Sequence, residues 1–300
     1  MTTAQSKTEA MRRLAKSAFK AALRVFGAQM WIDPAHLRVA LYRPDIAAWP
    51  RDLPLRIAML SDFHIGEPWL GLRALEDIVA RTNALAPDIV LLLGDYEDGP
   101  RHSRPVAPAL WGAALGKLKA PLGVHAVLGN HDYPREGKRR RLAAFKPPAQ
   151  VALENHGIMV QVNHAIRLQW RGRAFWLAGL GDLVAEHADG RRLANLPATL
   201  ARVTDDAPVL LMAHEPDSFV DVPERVALTI SGHHHRGQIR LFGQAPVVPS
   251  SFGQRFLHGH IVENGRHLIV GSGLGHSGLP LRLDAPPEIV LIELGDQNAG

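Results

Sequence analysis

The chain has no cysteine. Disulfides, thiolate metal ligands and a cysteine nucleophile are therefore excluded, and a reducing compartment fits. It also lacks any apolar run near the roughly 20 residues needed to cross a bilayer. Arg12 and Arg13 stand where an export signal could begin, but Lys16, Lys20 and Arg24 interrupt the apolar stretch such a signal needs, and no cleavage site follows. These absences predict a cytoplasmic protein, peripheral on the inner membrane where its N-terminal segment meets lipid. No internal repeat and no low-complexity linker is present. The body has no basic–aromatic groove of the kind that tracks a nucleic acid, which disfavours nucleic acid as a partner.

Acidic residues are scarce at one end. The first 30 residues hold Lys7, Arg12, Arg13, Lys16, Lys20 and Arg24 against the single acid Glu9, a net of +5 that equals the formal charge of the whole chain, so the remainder is formally neutral. Met11, Leu14, Ala15, Ala18, Phe19, Ala22, Val25 and Phe26 recur at steps of three and four, with Arg13, Lys16, Lys20 and Arg24 on the other side. That pattern predicts a basic amphipathic helix over residues 11–30. It has two readings: a helix lying on an anionic membrane surface, or one packed on this protein's core or a second subunit. Residues 1–35 are read as an extension and residues 36–300 as a single domain.

What is present is ordinary globular composition, 46% hydrophobic and 21% charged, over 300 residues, enough for a full core. Short apolar segments predict strands at Leu55–Leu60, Asp88–Leu93 and Val124–Leu128, with helices over Leu70–Leu85 and Ala107–Leu118 between them. Pro87 limits the first helix. Strands this uniformly apolar are buried on both faces, as in α/β folds. Further strands are predicted at Gly157–Val162, Phe175–Gly179, Val209–Met212, Val226–Ile230, Leu268–Val270 and Glu288–Ile292. Several lack an intervening helix, so the second sheet should be mixed. The expected class is α/β, with two facing mixed sheets flanked by helices.

The polar residues of interest sit directly after apolar strands. Asp62 and His64 follow Leu60. Gly94 and Asp95 follow Leu93. Gly129, Asn130, His131 and Asp132 follow Leu128. His214 follows Ala213, and Gly232, His233, His234 and His235 follow Ser231. Open α/β sheets bind ligands beyond the carboxyl ends of their strands. Any one of these residues could simply cap a helix or close a hydrogen-bond network. Together they supply carboxylates, an amide and imidazoles enough for two adjacent metal sites. Asp62 and His64, two apart, would share a face on a regular strand.

This set resembles the calcineurin-like metallophosphoesterase superfamily, in order and approximate spacing, across residues 56–235. His235-Arg236-Gly237-Gln238, Gly273-Leu274-Gly275, Gly278-Leu279-Pro280 and Pro286-Pro287-Glu288 extend the similarity toward a bacterial membrane-associated phosphodiesterase branch. The resemblance implies a four-layer sandwich. It implies a first metal held by Asp62, His64 and His235, a second by Asn130, His214 and His233, and Asp95 bridging them. His131 would stand at the substrate phosphate, oriented by Asp132, while His234 faces away on an extended segment. Arg236 replaces the branch's usual glycine and is a candidate substrate contact, as are Arg255 and His258. Two divalent ions about 3.5–4 Å apart can share one hydroxide for in-line attack and clamp the phosphate oxygens. An O/N ligand set without sulfur suits Mn, Zn, Fe, Co or Ni, with Mn preferred by the resemblance.

The expected function is metal-dependent hydrolysis of a phosphodiester or pyrophosphate bond, on a lipid-linked or cell-envelope precursor. The alternatives are a broad phosphomonoesterase, a cyclic-nucleotide phosphodiesterase, or a metal-binding scaffold without activity. Two further features admit two readings each. The basic run Arg135–Lys146 is a rim of the site or a solvated face. Trp69, Leu70, Trp111, Phe252 and Phe256 line an acyl-chain cleft or belong to the core.

Overall fold

The computed structural model describes residues 28–29, 36–137, 139–142 and 145–297; the amphipathic helix expected over residues 11–30 lies outside them, save for the pair Ala28–Gln29. Twelve strands build two sheets of six. The strands are β1 Arg38–Tyr42, β2 Leu55–Leu60, β3 Ile89–Leu92, β4 Val124–Ala126, β5 Met159–Val160 and β6 His164–Trp170. They continue as β7 Arg173–Gly179, β8 Val209–Met212, β9 Val226–Ser231, β10 Gly259–Glu263, β11 Arg266–Val270 and β12 Glu288–Leu294.

The first sheet runs β5-β4-β3-β2-β12-β1 and is parallel except where β12 meets β2. The second runs β6-β7-β8-β9-β11-β10, with a parallel centre from β7 to β11 and an antiparallel strand on each edge. Both sheets are thus mixed.

Alternate residues of each central strand feed different cores. Leu55, Ile57, Met59, Leu91, Leu177, Leu210, Ile230 and Ile292 fill the layer between the two sheets. Ala58, Leu60, Val90, Leu92 and Ala126 face the other way, onto the helices α1 Leu72–Ala84, α2 Pro108–Leu115 and α3 Pro148–Glu154. In the second sheet Trp176, Leu211, Leu268 and Val270 pack outward, with Leu196 and Leu200 of the short helix α4 Leu196–Leu200 against them. The result is an α/β sandwich of four layers. α1 buries Leu75, Ile78, Val79 and Thr82, one helical stripe, and it stops at Ala84, ahead of Pro87. Leu70, Trp111 and Phe256 are core residues, fully buried, so only Trp69 and Phe252 of the five candidate cleft residues keep surface.

β1, β6, β10, α3 and α4 are not visible as apolar segments. β1, β6 and β10 are edge strands, half-exposed and interleaved with polar residues. α3 and α4 span only seven and five residues, too short for a periodic stripe to stand out.

Candidate metal centre

Five strand ends converge. β2 is followed by Asp62 and His64, β3 by Asp95, β4 by Asn130 and His131, β8 by His214, and β9 by His233 and His235. Because β2, β3 and β4 are parallel, as are β8 and β9, each sheet delivers its polar ends to one side. The ligand atoms of Asp62, His64 and His235 lie within 4.8 Å of one another, as do those of Asp95, His214 and His233, and those of His64, Asp95 and His131. Asp95 links the groups: its Oδ2 is 3.5 Å from His64 Nε2 and 3.2 Å from His214 Nε2.

Asp62 and His64 are brought together by a route the alternation of a strand does not describe. β2 ends at Leu60, and Asp62 and His64 both adopt left-handed φ, 54° and 45°. So do Asp95 (57°), His233 (67°) and His235 (50°). Five non-glycine residues in this region are costly individually and are held only because the surroundings fix them. Backbone bonds do so here: Asp62 N donates to Gly94 O, His64 N to Asp95 O, Gly232 N to His214 O and Gly275 N to Asp62 O. His234 also departs from the extended geometry expected of it. It is helical in φ/ψ, yet it does turn away, with Nδ1 on Phe256 O at 2.8 Å.

Glycines let the ligands approach. A Cβ on Gly129 would overlap Asp95 Oδ1 and lie 2.6 Å from His214 Cε1; one on Gly232 would lie 2.6 Å from Asp62 Oδ2. Neither position tolerates a side chain without moving a ligand.

The far ring nitrogens fix the tautomers. His64 Nδ1 is 3.0 Å from Asp98 O, His214 Nδ1 is 2.6 Å from Leu93 O, and His233 Nε2 is 3.2 Å from Pro249 O. A carbonyl only accepts, so those nitrogens carry a proton and the inner nitrogens are the ones turned toward a metal. His235 differs: the buried Arg282 donates to its Nδ1 at 3.0 Å.

Divalent ions fit this donor set. His214 Nε2 and His233 Nδ1 face each other at 3.2 Å, close enough for one ion to bind both nitrogens. Asn130 Oδ1 is buried without a hydrogen-bond partner, which is costly for an amide oxygen unless something positive meets it. Burial, followed by neighbouring positive groups, holds His233 and His235 well below the usual histidine range. Burial brings His64 down to about 4 despite Asp95. All three are neutral, and in His64 and His233 the unprotonated nitrogen is the inner one, the form that ligates. Burial pushes Asp62 up to about 6. Burial opposes charge on His214, but Asp95 outweighs it and lifts that imidazole well above its ordinary value.

Next to this cluster, His131 stands edge-on to His64, centroids 4.8 Å apart. The carboxylate at its Nδ1 is that of Asp98, at 3.2 Å. Asp132, expected to orient His131, is otherwise engaged. Its buried oxygens accept from the backbone N–H groups of Asp95, Tyr96, Glu97 and Gly129, at 2.9, 2.8, 3.3 and 2.8 Å. Burial and Asp95 push its pKa up to about 7. Arg140 donates to Asp98 Oδ2 at 2.8 Å and to Tyr133 O at 3.1 Å, and its guanidinium lies 3.0 Å from His131 Nδ1. The hydrogen bond from His131, and then Arg140, hold Asp98 well below the usual carboxylate range.

The other substrate candidates are spoken for or uncommitted. Arg255 makes a two-pronged pair with Glu263 and lies 4.8 Å over the Phe256 ring. His258 Nε2 bonds Glu288 Oε1 at 2.8 Å. Arg236, left-handed and half-buried, keeps Nε without a hydrogen-bond partner. Sequence reading missed Asp98 and Arg282, and placed Arg140 only within the basic run read as a rim of the site or a solvated face. The third acid of Gly94-Asp95-Tyr96-Glu97-Asp98 was a usable signal; Arg140, inside a run of four basic residues, was not set apart from its neighbours.

Residues 55–237 match the model of the calcineurin-like phosphoesterase family. The chain is 31% identical to the metallophosphoesterase YkuE of Bacillus subtilis over 248 residues, 81% of this chain and 80% of that protein. It is 27% identical to a metallophosphoesterase of Aquifex aeolicus over 278 residues, 90% of this chain and 96% of that one. It is also 29% identical, over 247 residues and 80% of its length, to a transmembrane protein with metallophosphoesterase domain from Bos taurus, of which it covers 53%. The chain belongs to the calcineurin-like metallophosphoesterases, and its two ligand clusters make it a metal-dependent phosphoesterase.

Proposed function

We propose that this protein hydrolyses a phosphodiester or pyrophosphate bond in a lipid-linked or cell-envelope precursor, at the cytoplasmic face of a membrane. The carrying observation is the pair of ligand groups joined at Asp95, with His131 beside them. Asp62, His64 and His235 would hold one ion and Asn130, His214 and His233 the other, Mn being the preferred metal. Bound there, such a pair supplies a nucleophile at neutral pH and neutralises charge on the phosphate.

The chain's own groups do the rest. His131 donates a proton toward the leaving oxygen. Against the effect of burial, Asp95 and the hydrogen bond to Asp98 raise its pKa, which favours the charged donor form. Arg140 keeps Asp98 ionised and aimed at Nδ1. The later motifs Gly273-Leu274-Gly275 and Gly278-Leu279-Pro280 favour the membrane-associated phosphodiesterase branch. The basic segment 11–30 favours contact with an anionic membrane surface, as does the cattle relative's description as a transmembrane protein.

The test is metal add-back to stripped protein, with Mn, Zn, Fe, Co, Ni or Mg, against bis-p-nitrophenyl phosphate and p-nitrophenyl phosphate. Restored cleavage of the diester, abolished by Asp95→Asn, is the expected result. Preference for the monoester would replace the reading with a phosphomonoesterase, and two bound metals with no turnover of either would leave a scaffold.

A further inference from the structure

Phe242 is fully exposed and stands at a left-handed φ of 51°, where aromatic residues are rarely placed. Neither feature serves the stability of the fold. Its turn is nonetheless well made. Leu241 N bonds Gln244 O at 2.8 Å and Gln244 N bonds Leu241 O at 3.0 Å. Arg240 donates to Gly243 O at 2.8 Å, and Gln254 braces Gln244 and Ala245 from behind at 2.7 and 3.1 Å. The ring is held out by a braced tip. Leu241, Val247 and Leu279 are exposed on neighbouring segments, and Gln238 ties them together by bonding Ser277 O and Leu279 O.

This tip is joined to the metal centre. Pro249 O accepts from His233 at 3.2 Å, and the next residue, Ser250, donates through Oγ to Asp217 at 2.6 Å. It is joined equally to the basic N-terminal segment. Ala28–Gln29 pairs with Arg282–Leu283, and Leu283 also bridges Ile239. Ala28, which follows six basic residues and one acid in the sequence, therefore lies two strand spacings, about 10 Å, from the base of the Phe242 turn. Between Arg236 and Val262 there is no acidic residue.

We infer that the Leu241–Val247 tip is a membrane-docking element that inserts Phe242 and Val247 into an anionic lipid surface beside the metal centre. An exposed aromatic on a rigid tip fits the headgroup boundary, and the adjoining positive segment matches anionic headgroups in charge. This extends the membrane part of the proposed function, and it fixes which face of the protein meets lipid.

The absence of cysteine allows a direct test. In the full chain, Phe242→Cys and, at the opposite strand ends, Arg171→Cys each carry one environment-sensitive dye. Phosphatidylcholine vesicles with and without phosphatidylglycerol are added. The expected result is a blue shift at 242 alone, with phosphatidylglycerol vesicles alone. Phe242→Asn with Val247→Asn should lower vesicle affinity at least about tenfold, with turnover of bis-p-nitrophenyl phosphate unchanged. Vesicle binding without a shift at 242 overturns the inference. So does a shift without vesicles, whether it needs residues 1–27, which would make the occupant the chain's own segment, or rises with protein concentration, which would make it a second copy. A wild-type chain that docks but never cleaves the soluble diester would sink the proposed chemistry and leave the docking surface standing.

Discussion

Asp98 Oδ2 lies 3.2 Å from His131 Nδ1, while Asp132, the immediate neighbour of His131, spends its carboxylate on four backbone N–H groups. Two acids near one histidine thus have separate duties, and substitution separates them. His131→Ala should lower kcat by about 10²–10⁴-fold, the range for a lost general acid. Asp98→Asn should lower it by roughly ten- to a hundredfold, because a neutral amide no longer favours the charged ring. Both should keep two metals by elemental analysis and an unchanged melting temperature. Metal loss in Asp98→Asn would show that it supports His64 rather than His131.

Asp132→Ala should act on the fold. It leaves buried N–H groups of Asp95, Tyr96 and Gly129 without their acceptor, each worth about 1–3 kcal/mol. A drop of at least about 3 kcal/mol in unfolding free energy is expected in denaturant titration, with weaker metal retention because the Asp95 turn loosens. A stability change below about 1 kcal/mol would contradict this role.

Gly129→Ala tests the crowding between Asp95 and His214. The added Cβ has no place without displacing one of them. The expected outcome is loss of at least one metal and a fall in turnover of about 10²-fold or more, the scale of a misplacement near 1 Å. Full metal content with normal turnover would mean the turn relaxes freely.

Metal affinity should depend on pH in two regimes. In the metal-free fold His214 is charged at neutrality, so binding at its Nε2 must release one proton. Asp62, raised to about 6, is ionised at pH 7.5 and protonated at pH 5, where binding must release a second. His64, near 4, stays neutral throughout. Affinity therefore falls as pH falls, by about one log unit per pH unit above pH 6 and about two below it. Calorimetric titration with Mn at several pH values reads that slope, and a flat profile from pH 7.5 to 5 would refute the assignment of both groups.

Much of this was legible along the chain. Segments such as Leu55–Leu60 and Val209–Met212 are apolar at every or nearly every position because they are buried on both faces, so their strands could be read directly. Edge strands such as His164–Trp170 could not, since half their residues meet water. The candidate ligands were legible because each follows an apolar strand. The partners that orient them were not. Asp98 bonds a ring 33 residues away and Arg282 bonds His235 across 47, and nothing in local pattern links such pairs.

By itself the sequence determined the class of chemistry. Carboxylates, an amide and imidazoles placed after buried parallel strands must arrive at the same sheet ends, because side-chain alternation and parallel pairing leave little other choice. Tertiary structure decided the detail. Left-handed turns at Asp62, His64, Asp95, His233 and His235 aim the ligands, and backbone bonds from other strands hold those turns. It also decided that Asp98 rather than Asp132 serves His131, and that Phe242 projects beside the site. These are choices of orientation, fixed by contacts between segments far apart in the chain, and no local pattern encodes them.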